Sequence, residues 1–244
     1  FLQKKFEIEP SNTDKLLQIA RKVNSEIGLF FLPLNSAFES ANLVFNGVPS
    51  NDEADMRAGL RLGYYAILGY KPDNRLSINL KSSESFHKDF LFVSNQIGVE
   101  YTFCLKNGGK QFFMLPGAGY ALTTSGVNIG RLTFTENTIV AEKKFKKGTH
   151  VVYSGKQNHA FAFNLKFKTD ISKRLSLTIG ADYLLPFIIN DNIVLKEDFG
   201  LFKKRVNIPI HNNQVEYYEN GLNVKNTGYS PDNFTFQAGI RFEL

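Results

Sequence analysis

Phe234-Thr235-Phe236-Gln237-Ala238-Gly239-Ile240-Arg241-Phe242-Glu243-Leu244 closes the sequence. Phe234, Phe236, Ala238, Ile240, Phe242 and Leu244 take alternate positions, and Thr235, Gln237, Gly239, Arg241 and Glu243 take the others. Side chains of a strand point alternately to its two faces, so this stretch predicts a strand with one apolar and one polar face.

The same alternation recurs upstream. Leu175, Leu177, Ile179, Ala181, Tyr183, Leu185 and Phe187 oppose Ser176, Thr178, Gly180 and Asp182. Phe161, Phe163, Leu165 and Phe167 oppose Ala162, Asn164, Lys166 and Lys168. Ile97, Val99, Tyr101, Phe103 and Leu105 oppose Gln96, Gly98, Glu100, Thr102 and Cys104. Further runs include Leu60 to Leu68 and Leu76 to Leu80. Eight strands follow, at 26–34, 56–70, 75–86, 91–105, 111–125, 159–171, 175–187 and 233–244. Strand-like runs at Leu132 to Val140 and Val215 to Tyr218 extend the sheet or raise the count to ten.

Short and long connections alternate. Lys71-Pro72-Asp73-Asn74, Lys106-Asn107-Gly108-Gly109-Lys110 and Ser172-Lys173-Arg174 carry turn chemistry. The connections 35–55, 126–158 and 188–232 are long, and 87–90 lies on their side. An antiparallel up-and-down β-barrel with one elaborated rim has this layout, and an even strand count puts both its ends beside the tight turns.

The totals agree. The 244 residues include 23 Phe and 10 Tyr but no Trp, with 43% hydrophobic residues and a mean hydropathy of only -0.21. Apolar residues are therefore interleaved with polar ones. The net charge of +6 is spread over turns and loops, so no nucleic acid is expected as a partner. One cysteine, Cys104, permits no internal disulfide, and no Cys/His cluster suggests a metal. No run reaches the ~18 apolar residues of a transmembrane helix. A membrane crossing must then be made by a closed barrel, the one strand structure that satisfies its own backbone in lipid.

Residues 1–25 read differently. Ser11-Asn12-Thr13-Asp14 resembles a helix start, and Leu16, Leu17, Ile19, Ala20 and Val23 keep near-helical spacing. The expected organisation is an N-terminal segment with a short amphipathic helix over 1–25 and a barrel over 26–244.

A soluble lipid-carrying barrel would show the same alternation with its faces exchanged. Arg57, Arg61, Glu100, Lys166, Asp182 and Arg241 would then line a dry ligand cavity, at high cost. As a paired charge network in a narrow lumen they are tolerable. Strand ends bearing Tyr70, Tyr101, Phe187 and Phe242 also suit interfacial aromatic girdles. The apolar face is therefore expected to meet lipid. Eight strands leave an interior that side chains can fill.

The closing stretch from Phe234 to Leu244 resembles the C-terminal strand of bacterial outer-membrane proteins, which is similar to a signal read by the barrel-assembly machinery. The usual pattern ends on an aromatic; here Leu244 is last and Phe242 stands two before it. The unit from Asn164 to Phe187 resembles their strand–turn–strand repeats. The resemblance implies a small barrel of the OmpA/OmpX/OmpW kind, including PorT-like outer-membrane barrels. It implies an outer-membrane location with periplasmic termini, and Phe234, Phe236, Ile240, Phe242 and Leu244 as the assembly strand. It implies no single activity, since such barrels host adhesins, pores, enzymes and anchors.

Catalysis needs a nucleophile or water beside a base. His87, His150, His159 and His211 lie in loops or at strand ends without such a partner in sequence, and no phosphate-binding or metalloprotease motif occurs. No cofactor is expected. The basic run Lys143, Lys144, Lys146 and Lys147 around Phe145 is a candidate contact for lipopolysaccharide or a partner protein. The expected function is a non-enzymatic barrel with a filled lumen, whose outer loops bind a protein, a surface glycan or lipopolysaccharide. A narrow solute channel and a lipid-modifying enzyme at the rim are the alternatives.

Overall fold

The computed structural model describes residues 22–35, 40–45, 48–49, 54–55, 59–87, 90–107, 110–140, 143–197, 205–209, 215–219, 222–224, 230–231 and 233–243. The helix expected near Ser11 lies outside them, as do Arg57, His211 and Leu244.

Eight strands form the wall: β1 (Val23–Asn35), β2 (Gly59–Tyr70), β3 (Leu76–Ser85), β4 (Phe90–Tyr101), β5 (Lys110–Phe134), β6 (Gly148–Asp170), β7 (Leu175–Glu197) and β8 (Phe234–Glu243). Each pairs antiparallel with its sequence neighbours. β1 also pairs with β8, from Asn24 opposite Glu243 to Phe31 opposite Phe236, which closes the ring. Closure removes the sheet's edges, so the wall's backbone groups are paired without water. Among the described residues no helix is long and apolar enough to cross a membrane.

Phe103–Asn107 continues β4 in the same register against β5, with Phe103 opposite Met114. The ladder lapses opposite Pro116, which has no N–H to give. The tight connections around Pro72, Gly108 and Lys173 share one end with Val23 and Glu243. Call this the turn end, and the other the loop end.

The two faces divide as the alternation predicts. Ile27, Leu29, Leu68, Leu80, Ile97, Phe163, Leu177, Ile179, Phe236 and Ile240 point outward and are exposed. Asn24, Glu26, Ser77, Asn79, Lys81, Glu100, Lys166, Thr178, Asp182, Gln237 and Arg241 point inward and are buried. Polar inside and apolar outside is the surface of a barrel that sits in a bilayer, the reverse of a soluble lipid carrier.

Two expectations are corrected at the loop end. Residues 126–158 are mostly strand, because β5 and β6 run on to Phe134 and back from Gly148 as one long ladder. Within their connection, Thr138–Val140 pairs with Lys143–Phe145. Val215–Glu219 joins no ring; it pairs with Ser40–Phe45 in a separate small sheet that links the two long loops. The ring therefore stays at eight strands.

Candidate functional site: the filled lumen

The lumen is occupied in tiers. Toward the turn end stand Glu26 on β1, Glu100 on β4, Lys166 on β6 and Arg241 on β8, all buried. Arg241 donates from Nε to Glu26 Oε2 at 2.9 Å and from Nη2 to Glu100 Oε1 at 2.7 Å. Lys166 Nζ lies 3.3 Å from Glu26 Oε2 and 2.6 Å from Glu100 Oε2, the latter an ion contact. The Tyr65 and Thr178 hydroxyls donate to Glu26 Oε1 at 2.8 and 2.9 Å. Two carboxylates thus face two cations, with neutral donors completing one of them. Buried charges persist only when paired and hydrogen-bonded in this way.

A second group lies beside it. Lys81 on β3 pairs with Asp182 on β7 and donates to Gln237 Oε1 at 2.6 Å, while Gln237 Nε2 donates to Asp182 Oδ1 at 3.1 Å. The Lys81 ammonium also sits 4.9 Å from the centre of the Tyr65 ring. A void of about 20 Å³ among Asn79, Lys81, Asn164, Lys166, Asp182 and Gln237 is room for about one water. At the turn end, Glu243 receives Lys71 at 2.7 Å and Lys168 at 3.1 Å.

Toward the loop end the filling changes character. Phe30, Leu32, Phe90, Phe92, Leu184, Ile193 and Leu195 belong to a buried apolar cluster there, with the Phe30 and Phe92 rings 5.5 Å apart. A charged tier is thus followed along the barrel axis by an apolar stopper. Close packing of ring and wall is allowed by two glycines. A Cβ on Gly28 would lie 2.2 Å from Ala238 O, and one on Gly239 would lie 2.2 Å from Tyr65 Oη.

Of the residues singled out from sequence, Glu100, Lys166 and Arg241 meet in one cluster and Asp182 in the adjoining one. Arg61 does not join Glu100. It pairs in register with Leu32 near the loop end, whereas Glu100 sits opposite Ser77 near the turn end. Glu26, which closure of the eighth strand on the first brings towards Arg241, meets it as expected; Lys81 and Gln237, placed by sequence only on polar faces, complete the adjoining group. The signal for Lys81 was present, in the polar row Ser77, Asn79, Lys81 and Ser83.

Phe234, Phe236, Ile240 and Phe242 face outward on β8. Lys144, Lys146 and Lys147 are exposed, but the run is not a loose loop. Phe145 is buried and stacks on Phe134 at 5.7 Å, with His150 against both rings. His150 Nε2 is 2.9 Å from Lys146 O, and His159 Nδ1 meets the Tyr120 hydroxyl. Among the described residues no group of three metal-ligating side chains occurs.

No protein-family model matches the chain, and no curated protein matches it. Among solved structures it is similar to Neisserial surface protein A, at 10% identity over 91% of this chain and 97% of that one, with a TM-score of 0.45. It is also similar to the outer membrane protein OprG of Pseudomonas aeruginosa, at 11% identity over 90% and 94%, with a TM-score of 0.39. The outer membrane protein AlkL, solved in lipid bilayers, gives 11% identity over 91% and 90%, with a TM-score of 0.33.

Proposed function

We propose that this chain is a non-conducting, non-enzymatic barrel of a bacterial outer membrane whose loop end binds a partner protein, a surface glycan or lipopolysaccharide. The carrying observation is the filled lumen. A tier of paired charges and a cluster of packed Phe and Leu occupy the bore between the two ends. A pore needs the reverse, an open lumen wide enough for hydrated solutes.

The turn end is assigned to the periplasm and the loop end to the cell surface, because outer-membrane barrels keep short turns inside and long loops outside. Support for a binding role comes from where the chain spends its extra residues. β5, β6 and β7 extend well past β4 and β8, and the basic hairpin over 138–145 stands at their tip with Lys144, Lys146 and Lys147 exposed. His150 is engaged in packing against Phe134 and Phe145 and contacts Lys146 O, and His159 meets the Tyr120 hydroxyl on the exposed wall.

Reconstitution in planar bilayers tests the reading. The wild-type chain should show no sustained ion current. Steady conductance steps would replace it with the narrow-channel alternative.

A further inference from the structure

The wall has a second chemical feature, at the turn end. Each of the three tight hairpins carries two cations: Lys71 and Arg75, Lys106 and Lys110, Lys173 and Arg174. Lys22 stands at the start of β1 on the same rim, where its Nζ reaches Pro72 O at 3.5 Å. The carboxylates there are already engaged. Asp73 accepts the backbone N–H groups of Arg75 and Leu76, both at 2.7 Å. Those two bonds hold its carboxyl below the ordinary aspartate range. Asp170 accepts from Ser176 at 2.7 Å and faces Lys168 at 3.1 Å, and Glu243 is shared by Lys71 and Lys168. Lys22, Arg75, Lys173 and Arg174 are left exposed with no ion pair among the described residues.

Directly above these cations, Tyr70, Tyr101, Phe103, Phe167, Ile171 and Phe242 are exposed on the outer wall. Arg75 Nη1 lies 3.4 Å from the Tyr101 hydroxyl, so the charge sits at the lip of the aromatic band. An amphipathic aromatic band marks the headgroup level of a bilayer. Cations at that level meet lipid phosphates before anything else.

We infer that Lys22, Arg75, Lys173 and Arg174 form a collar that binds the headgroups of anionic phospholipids in the leaflet at the turn end. The occupant is set by place and charge. The collar adjoins the lipid-facing belt without a break, its free charges are all positive, and they are spread over the N-terminal strand and two separate hairpins. That spacing suits several small anionic headgroups better than one compact ligand. The inference rests on the barrel spanning a membrane, which folding into vesicles tests by itself through a heat-sensitive shift in gel migration.

The full chain is folded into vesicles of phosphatidylcholine with a minority of phosphatidylglycerol. Its lipid shell is read with spin-labelled versions of each lipid. The wild type should select the labelled phosphatidylglycerol, and raised salt should weaken the selection. The variant Lys22→Gln/Arg75→Gln/Lys173→Gln/Arg174→Gln should lose it, by up to about fivefold per cation that had engaged a headgroup. Lys144→Gln/Lys146→Gln/Lys147→Gln, altered at the other end, should keep it. If the fourfold variant fails to fold, Lys173→Gln/Arg174→Gln, confined to one exposed turn, replaces it and should show a partial loss. No selection by the folded wild type, or selection that survives in the collar variants, or selection lost only in the loop-end variant, would overturn the inference.

Discussion

Arg241 Nη2 lies 2.7 Å from Glu100 Oε1, yet these two residues stand on β8 and β4, four places apart in a ring of eight. Their bond therefore crosses the full width of the lumen. Lys81 on β3 and Asp182 on β7 make a second crossing, again between opposite strands. The barrel is braced across its bore, and each brace is buried.

Breaking a brace on one side strands a charge. Glu100→Gln should destabilise the barrel by about 3–5 kcal/mol, because Lys166 and Arg241 keep their charge and lose a partner. Glu100→Gln combined with Arg241→Met should cost clearly less than the sum of the two single changes. Urea unfolding in lipid vesicles, arranged as a double-mutant cycle, measures the difference. A coupling near zero would mean that the two side chains do not meet.

The faces of β7 give a second contrast. Ile179 is 61% exposed on the outer wall, while Thr178 beside it is 2% exposed and donates to Glu26 at 2.9 Å. Ile179→Arg should cost roughly 2–4 kcal/mol near the bilayer midplane. Thr178→Val should cost about 1–3 kcal/mol, the loss of one hydrogen bond to a charged acceptor. Replacing phosphatidylcholine vesicles by detergent micelles should shrink the first cost and leave the second. Equal behaviour of both variants in the two media would contradict the assignment of faces.

Two glycines should be intolerant of any side chain. Gly28→Ala would place a methyl 2.2 Å from Ala238 O in the facing strand, and Gly239→Ala would place one 2.2 Å from Tyr65 Oη. The first clash is with backbone, so Gly28→Ala should be the worse of the two, and its folded fraction on a cold gel should fall sharply. Tyr65→Phe in the Gly239→Ala background removes the clashing oxygen and should recover part of the loss.

The Asp73 hairpin titrates predictably. Its carboxyl is held low by the N–H groups of Arg75 and Leu76, so the folded value lies below the unfolded one. The turn's contribution is then complete above the ordinary aspartate range and fades as pH falls through the depressed value. Carbon-13 NMR of the Asp73 carboxyl should show this low midpoint, and Asp73→Ala should speed amide exchange at Arg75 and Leu76. A midpoint at or above the ordinary value would refute the capping role.

Orientation can be read with protease on intact cells. Cuts should fall at Lys146, Lys147, Lys203 or Lys204, while Lys106 to Lys110 and Lys173 are spared. The paired stretches 126–134 and 148–158 should also resist, since both are laddered strand. Cleavage confined to the tight turns would reverse the assignment of ends.

The fold was legible because lipid on one side and a polar lumen on the other impose period two, and that pattern is plain in β2, β3, β4, β6, β7 and β8 and weaker in β1 and β5, where Phe30, Leu32 and Pro116 interrupt it. It failed where the strands leave that environment. Val151, Val152 and Tyr153, and Ile193, Val194 and Leu195, are buried on both faces, so they read as unbroken apolar runs and the alternation vanishes. The ends of β5, β6 and β7 therefore lie beyond the limits that alternation predicts. Side-chain direction was readable for Arg61 and Glu100, but height along the bore was not. Height depends on the stagger of one strand against the next, which is fixed by pairing and not by either sequence alone. The grouping of Glu26 with Arg241 was hinted at by ring closure, which brings β1 beside β8; the grouping of Lys81 with Asp182 required the stagger itself.

The burial of Phe145 against Phe134 and His150 has an immunological consequence. An arm at the loop end, anchored by stacked rings on two long strands, presents its lysines in one arrangement, and in the proposed orientation it does so at the cell surface. A receptor or antibody that grips it gives up little ordering entropy. The strongest epitope there should be conformational: recognised on folded protein, and lost once the barrel is boiled.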